Sequence, residues 1–311
     1  MVLEVIYVVR HGYRSNWVVD PTTGEYTATV RSPTGIPSDP ALASYGVDQA
    51  RQLADRITSL SPPVDIIYSS PFYRCLQTLE PAVEKLAAKN SDIKVRVENG
   101  LGEFYGLARF DHPSPATLDV LHTHFPTLHA TYKPLFVPST NGESVPTLHD
   151  RVAYTLHNII STLDEDPSGP KALLICTHAA SMIAMGRVLT GRMPDDEGED
   201  DFRCFTCSLS KFVRKNSKPS SDTNGTSAAP SDVQKWNSST PDLIPDVNWR
   251  NGTGVAGGWV CEINGDCSFL SGGEERGWRF SGDESFLDDP NAFNDTGASG
   301  VGGRSMPSSR L

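Results

Sequence analysis

Residues 5–12 read VIYVVRHG, and this stretch indicates the kind of fold the chain adopts. Its first five residues form a continuous apolar run, which is typical of a strand buried on both faces within a parallel sheet. The run ends in Arg10, His11 and Gly12. Since open α/β sheets bind ligands at the carboxyl ends of their strands, we expect Arg10 and His11 to lie at a binding site.

The strand pattern recurs along the chain, each time after a helical stretch. Predicted helices over 46–60, 71–89 and 144–163 precede predicted strands over 64–70, 93–97 and 171–178, and a helix over 180–190 leads to a last strand around Cys204. Strands that alternate with helices predict an α/β fold with an open, mostly parallel sheet, helices on both faces and right-handed crossovers. We expect this first domain to cover residues 1–214.

Composition excludes several classes of protein. The 311 residues include 27 Lys and Arg against 38 Asp and Glu, a formal net charge of −11, and direct binding to DNA or RNA is not expected because Lys and Arg dominate nucleic-acid affinity. No stretch approaches a membrane span, and the amino terminus lacks the features of a signal peptide, which predicts an intracellular protein. Six Cys are too few for a disulfide scaffold.

A second segment follows the predicted domain. Residues 215–245 are rich in Ser, Thr, Pro and Asn and are predicted to be a flexible linker, while 289–311 are predicted to be a disordered tail. Between them, 246–288 regain strand alternation: a hairpin is predicted with its turn at 264–266, and a third strand around 278–280. Because three short strands are marginal alone, this segment is expected to need a partner surface.

Two histidines follow predicted strands that are remote in the chain. His11 ends the first strand and His178 ends the strand over 171–178. Arg10 and Arg14 flank His11, and Arg74 lies just inside the helix that follows another strand. Because the arginine fork matches phosphate oxygens, three guanidiniums and two imidazoles at strand ends predict a site for a phosphate dianion.

Four motifs, in this order, resemble those of the histidine phosphatase superfamily, which has the phosphoglycerate mutase-like fold: RHG at 10–12, SSPFYRCLQT at 69–78, GLGEF at 100–104 and THAA at 177–180. The resemblance implies that His11 is the nucleophile that forms a phosphohistidine. It implies that His178, Arg10 and Arg74 clamp the phosphate and that Glu103 donates a proton to the leaving oxygen. It implies no metal and no cofactor.

Within that superfamily, RHG-x-R at 10–14 and GLGEF at 100–104 are most similar to the branch with the ubiquitin-associated and SH3 domain-containing tyrosine phosphatases. That resemblance places Arg14 on the phosphate and adds phosphotyrosine to the expected phosphomonoester substrates. Mutases carry an arginine after the donor carboxylate, and Phe104 stands there, so a phosphatase is expected instead. Asn16 either touches phosphate or caps the turn.

Several residues also have simpler interpretations. Glu103 could be a solvated loop residue, although a carboxylate there completes the acid, nucleophile and clamp set. Cys204-x-x-Cys207 lacks a second ligand pair and is interpreted as part of a strand rather than a zinc site. His112, His122, His124 and His129 lie in residues 111–130, which resemble the variable cap over the pocket in that superfamily. The spacing of these histidines is similar to that of a metal cluster, but nothing else supports a metal site, so His122 and His124 are expected at the pocket edge or surface. The acidic run 195–201 is expected to be solvated. Residues 142–144, GES, resemble a turn of the same superfamily, and this resemblance implies that Glu143 orients a group of the site.

Residues 257–286 resemble the β region of the small subunit of transcription factor IIIC, and the whole chain resembles the fungal form that carries a phosphatase domain. The resemblance implies a nuclear subunit of the RNA polymerase III initiation machinery that pairs, through 246–288, with the larger tau-A subunit. Two alternatives remain open: a scaffold in which catalysis is incidental, and a free-standing small-molecule phosphatase.

Overall fold

The computed structural model describes residues 2–215, 233–281 and 285–287. Most of the predicted linker, 216–232, and the predicted tail, 289–311, lie outside the described residues. Among the described helices, none is long and apolar enough to cross a membrane. The domain boundaries predicted at 214, 245 and 288 stay predictions.

Six strands form one sheet, and two more form a small separate ribbon. The order across the main sheet is β5-β4-β6-β1-β7-β8, and β2 pairs with β3. The strands are β1 (Val5–Arg10), β2 (Trp17–Val19), β3 (Tyr26–Ala28), β4 (Ile66–Ser69), β5 (Val95–Val97), β6 (Ala172–Thr177), β7 (Leu209–Arg214) and β8 (Trp259–Asp266). The first four strands of the sheet order run parallel, and β7 and β8 are antiparallel to their neighbours. The expected mostly parallel sheet is confirmed.

Helices cover both faces of this sheet, as predicted. They are α1 (Ser44–Thr58), α2 (Tyr73–Ala87), α3 (Leu118–His124), α4 (Val145–Glu165) and α5 (Ala179–Thr190). One apolar core contains Leu53 of α1 and Leu79 of α2, and the other contains Leu156 of α4 and Val188 of α5. The sheet lies between these two cores, which is the layered arrangement that alternating strands and helices favour.

The central strand β1 is buried on both faces, as its apolar run predicts, and it ends next to the candidate site. All six of its residues are buried, as are all six of β6 beside it. The two strands are parallel, with Arg10 opposite Thr177. Each strand is followed at once by a histidine, so this register places His11 and His178 next to each other at the carboxyl edge of the sheet.

The last strand of the predicted domain begins later than expected. A strand was predicted around Cys204, but β7 starts at Leu209, after a turn in which Cys207 has a φ of +56°. That left-handed backbone interrupts a ladder. Cys204 turns its carbonyl towards the Arg10 guanidinium instead of a neighbouring strand. The prediction of plain strand residues at Cys204-x-x-Cys207 was therefore wrong.

The segment predicted over 246–288 adds one strand, β8, to the same sheet. β8 lies along β7 and buries Trp259 completely. The predicted turn at 264–266 is wrong, because these residues continue β8: Gly265 donates to Ser210 Oγ and Asn264 donates to the Asp201 carbonyl. No strand is assigned around Trp278 among the described residues. The open edge of β7 supplies backbone partners and an apolar surface that a lone hairpin lacks.

Candidate active site

His11 presents one free ring nitrogen inside the protein. It is 2% exposed, its Nδ1 donates to the Gly12 carbonyl at 2.8 Å, and its buried Nε2 has no hydrogen-bond partner among the described residues. Burial, reinforced by the positive charges of Arg74, His178 and Arg10, holds the pKa of His11 well below its ordinary value. The ring is therefore neutral at physiological pH, with the lone pair of Nε2 available for attack.

The backbone around His11 is held by close packing. Gly12 donates its N–H to Thr78 Oγ1 at 3.0 Å. A β-carbon at Gly12 would lie 2.9 Å from the Gly46 carbonyl oxygen, closer than real contacts of this kind. Glycine at this position thus lets α1 approach β1 and fixes the turn that follows the histidine.

Arg74, Glu103 and His178 form a fully buried network. Arg74 Nη2 donates to Glu103 Oε2 at 2.7 Å, and His178 Nδ1 lies 3.1 Å from the same oxygen. The 3.2 Å separation between Arg74 Nη2 and His178 Nδ1 follows from this shared acceptor. On its other side, His178 Nε2 contacts Ser70 Oγ at 2.7 Å. Both nitrogens of His178 are thus engaged, unlike those of His11.

The network holds Glu103 and His178 in opposite charge states. Burial raises the pKa of Glu103, but His178 and Arg74 outweigh burial and bring that pKa below its ordinary value. Burial lowers the pKa of His178, but the negative charges of Cys75 and Glu103 outweigh it and raise the pKa overall. Glu103 is accordingly a carboxylate in the unliganded site, and the proton of this pair resides on His178.

Arg10 and Arg14 complete the cationic lining, being 7% and 6% exposed. Arg10 Nη1 donates to two main-chain carbonyls, while its buried Nε has no hydrogen-bond partner in the part of the chain that the structure describes. Arg14 lies over the ring of Trp17, 5.6 Å from its centroid. Burial and the charge of Arg74 lower the pKa of Arg14 to about 9, so it remains a cation at neutral pH. Nε of Arg74 is likewise buried without a hydrogen-bond partner among the residues that the structure describes.

The charge balance favours an anion. The site gathers three guanidiniums and a protonated His178 against three negative groups, the carboxylates of Glu103 and Asp39 and the sulfur of Cys75, which leaves an excess of one positive charge. The ligand-type atoms of His11, Glu103 and His178 do lie within 4.8 Å of one another, close enough for a metal ion. Those guanidiniums would repel a divalent cation, whereas a phosphate dianion would neutralise them.

Of the predicted site residues, six converge and one does not. Arg10, His11, Arg14, Arg74, Glu103 and His178 line one buried site, with the rings of His11 and His178 5.3 Å apart. Asn16 is half-buried before β2, and its side chain makes no hydrogen bond to the cluster in the described part of the chain. Its two proposed roles remain untested.

Other residues of the site had not been singled out. Asp39 is completely buried, contacts Arg74 Nη1 at 3.4 Å and accepts from the backbone N–H of Tyr73 at 3.0 Å. It belongs to an irregular loop, where no periodic pattern could have indicated it. Ser70 and Thr78, by contrast, lie within the motif at 69–78, whose spacing could have revealed both.

Glu143 is connected to the loop of Glu103 through Arg151, and its predicted role in orienting a group of the site stays a prediction. It forms a buried ion pair with Arg151, and Arg151 Nη1 donates to the Gly100 carbonyl at 2.8 Å. The pair fixes the loop that carries Glu103.

The acidic run 195–201 is not wholly solvated, since Asp201 is buried against Arg187 with a 3.0 Å contact. Asp201 is drawn out of solvent because Arg187 is completely buried in α5, and a buried charge needs a partner of opposite charge.

The cap forms an apolar cavity of about 320 Å³ that borders Glu103. Phe72, Val97 and Leu118 line it together with prolines of the cap, and His112 at the wall is stacked on Tyr105 with ring centroids 4.7 Å apart. Burial lowers the pKa of His112. His124 is exposed and contacts the ring of Tyr73, as expected for a residue at the surface.

The sequence model of the histidine phosphatase superfamily (branch 1) matches residues 6–225. The chain is 34% identical over 286 residues to the transcription factor tau 55 kDa subunit of Saccharomyces cerevisiae, covering 90% of this chain and 59% of that protein. It is 26% identical over 216 residues to the human ubiquitin-associated and SH3 domain-containing protein A, covering 62% of this chain and 32% of that protein.

Among solved structures, the ecdysone phosphate phosphatase from Bombix mori in complex with tungstate has the same fold. The TM-score is 0.51 at 18% identity, over 73% of this chain and 97% of that chain. The chain thus spans 59% and 32% of the length of the two relatives but matches nearly the full length of the solved phosphatase.

Proposed function

The chain belongs to the histidine phosphatase superfamily, branch 1, and from this premise we propose that it hydrolyses phosphomonoesters through a phosphohistidine on His11. The observation that carries the proposal is the orphaned Nε2 of His11, neutral and buried among guanidiniums. Positioning and charge stabilisation are the main work of a protein in phosphoryl transfer, and this site offers both.

In the first step, His11 Nε2 attacks phosphorus while the bond from phosphorus to the ester oxygen breaks. The unpaired Nε atoms of Arg10 and Arg74 donate to the phosphoryl oxygens, with Arg14 and His178 adding positive charge. The product is a phosphohistidine and an alcohol. In the second step, water attacks the same phosphorus, which releases inorganic phosphate and restores neutral His11.

Glu103 needs a proton before it can donate one to the leaving oxygen. It is an anion in the empty site because Arg74 and His178 stabilise its charge. A bound dianion would take over those cations and place negative charge beside Glu103, and both effects raise the pKa of a carboxyl group. Glu103 then takes up a proton on substrate binding, gives it to the leaving oxygen and receives one from the hydrolytic water.

The apolar cavity beside Glu103 favours a leaving group that is aromatic or otherwise apolar, as in phosphotyrosine. The accessible surface of its walls is mainly apolar, which disfavours the hydroxyls of a sugar phosphate. We therefore expect kcat/KM to be higher for phosphotyrosine peptides and aryl phosphates than for glucose 6-phosphate. Equal values for the two classes would contradict this preference.

The test of the reaction is hydrolysis of 4-nitrophenyl phosphate by the purified chain and its variants. We expect His11→Ala to bring turnover to the background rate, because the nucleophile is lost. His124→Ala changes an exposed histidine outside the site and serves as the matched control. Full activity of the His11 variant would rule out the covalent mechanism.

We also propose that the chain is a nuclear subunit of transcription factor IIIC that pairs with the larger tau-A subunit through 246–288. The support is the alignment with the tau 55 kDa subunit, which includes most of this segment because it covers 90% of the chain. A scaffold whose catalysis is incidental, or a phosphatase free of any assembly, remains the alternative.

The outer edge of β8 is the surface that suits such pairing. β8 is the last strand of the sheet order, and Val260 on it is 49% exposed. We expect Val260→Asp to reduce co-purification with the larger subunit, because unpaired strand edges recruit further strands. Val30→Asp, at a valine that is 52% exposed elsewhere, is the control. Undiminished co-purification of the Val260 variant would contradict the assigned surface.

A further inference from the structure

We propose that the main chain at Arg276 is a positioning element of the phosphate site, acting through Arg10. The inference rests on the proposed function only in that it takes Arg10 as a phosphate ligand. It goes beyond that function because it makes the carboxyl-terminal segment, defined here as residues 274–280, part of the active site.

The evidence begins with the hydrogen bonds of the Arg10 guanidinium. Nη1 donates to the Cys204 carbonyl at 2.7 Å and to the Arg276 carbonyl at 2.5 Å, which uses both of its hydrogens. Nε is buried and unpartnered, and Nη2 makes no hydrogen bond within the described residues. The edge formed by Nε and Nη2 is the fork that binds two phosphate oxygens at once.

The two carbonyls thus hold the guanidinium plane and leave its binding edge free. An arginine side chain has several rotatable bonds, and fixing it before the ligand arrives removes part of the entropic cost of binding. Since Arg276 lies 266 residues further along the chain, the site is incomplete without the carboxyl-terminal segment.

The segment is anchored on both sides of Arg276. The Glu275 carbonyl accepts from the Thr206 N–H at 3.1 Å, and the Trp278 carbonyl contacts Cys204 Sγ at 3.1 Å. Phe280 is 1% exposed and packs against Phe104, the neighbour of Glu103. Displacement of this segment would therefore loosen Arg10, and phosphate binding would in turn stabilise the segment, because such coupling is reciprocal.

The backbone at Arg276 offers a sharp test. Its φ is +55°, which proline cannot adopt and which glycine adopts freely. Within the described residues, the Arg276 N–H donates no main-chain hydrogen bond that proline would remove. Arg276→Pro and Arg276→Gly both delete the side chain, which otherwise lies over Tyr13, so the ratio of their phosphate affinities reports the backbone conformation at Arg276 rather than the loss of the side chain.

The measurement is the affinity for inorganic phosphate by calorimetry in the full chain. We expect Arg276→Pro to bind phosphate about tenfold more weakly than Arg276→Gly, the size of one hydrogen bond to a charged group. In an Arg10→Ala background the two variants should bind equally, because the effect travels through Arg10. If Arg276→Pro does not fold, Arg276→Val, whose branched side chain disfavours positive φ, should show a smaller loss of the same sign.

Two results would overturn the inference: equal affinities of the proline and glycine variants when Arg10 is present, or an undiminished difference when Arg10 is absent. Both are independent of turnover. A wild-type chain that binds phosphate but hydrolyses no ester would contradict the proposed function while leaving this inference standing.

Discussion

His11 and His178 lie 5.3 Å apart between ring centroids, yet their surroundings shift their pKa values in opposite directions. The difference comes from Cys75 and Glu103, which contact His178 Nε2 at 3.6 Å and His178 Nδ1 at 3.1 Å, whereas the nearest partner of His11 is the neutral Gly12 carbonyl. Two negative groups on one side of the pair thus separate a neutral nucleophile from a cationic phosphate ligand.

Glu103→Gln tests the role of the carboxyl group as acid. Glutamine keeps the shape but cannot donate a carboxyl proton, so we expect kcat for phosphotyrosine, whose leaving group is poor, to fall by roughly 10²–10⁴. 4-Nitrophenyl phosphate has a better leaving group and should lose much less. Steady-state kinetics of the two substrates, with Glu262→Gln as the control at an exposed carboxylate, give the comparison. An equal loss for both would assign Glu103 to positioning only.

The buried side chain of His149 is expected to make the stability of the protein depend on pH. Burial lowers its pKa to about 4, so the unfolded chain, with the ordinary value of 6.5, binds this proton more readily. The contribution of His149 to the free energy of unfolding should therefore be fully present above pH 6.5. It should decrease as pH falls towards 4, a loss of up to about 3 kcal/mol.

His149→Gln removes that titration, so its urea unfolding midpoint should depend less on pH between 6.5 and 4 than that of the wild type. His124→Gln, at an exposed histidine, is the matched control. An unchanged pH slope in the His149 variant would mean that the buried ring does not take up a proton on unfolding.

The antiparallel pair of β7 and β8 joins two parts of the sequence that look independent. β8 buries Trp259 against the apolar core on the α4 and α5 side, and Arg214 of β7 lies over the same indole, 4.6 Å from its centroid. The strand predicted from the alternation at 259–263 is present, but its partner could not be predicted. Strand partners are chosen by edge complementarity across the fold, which leaves no local pattern in the sequence.

Trp259→Ala measures what this contact contributes. We expect the free energy of unfolding to drop by about 3–5 kcal/mol, because a fully buried aromatic side chain is lost. Val260→Ala, one residue along on the exposed face, should change it by less than about 0.5 kcal/mol. Urea denaturation of both variants checks the difference. A small effect at Trp259 would indicate that β8 is only loosely attached.

Across the molecule, local pattern predicted the parts of the site that lie on regular elements. His11 and His178 follow apolar strand runs, and Arg74 lies in a motif of fixed spacing, so their convergence could be expected. Asp39 and the Arg276 carbonyl could not, because one lies in an irregular loop and the other is a main-chain atom without a sequence signature. These two contacts depend on tertiary packing alone.

The account depends most on His11 Nε2 as the atom that accepts the phosphoryl group. Mass spectrometry of the chain, quenched in base during turnover of an aryl phosphate, tests this directly, with ³¹P NMR to assign the ring nitrogen. We predict one phosphoryl group on Nε2 of His11, absent from His11→Ala. A phosphoryl group on another residue, or steady turnover with no phosphorylated chain, would contradict the account.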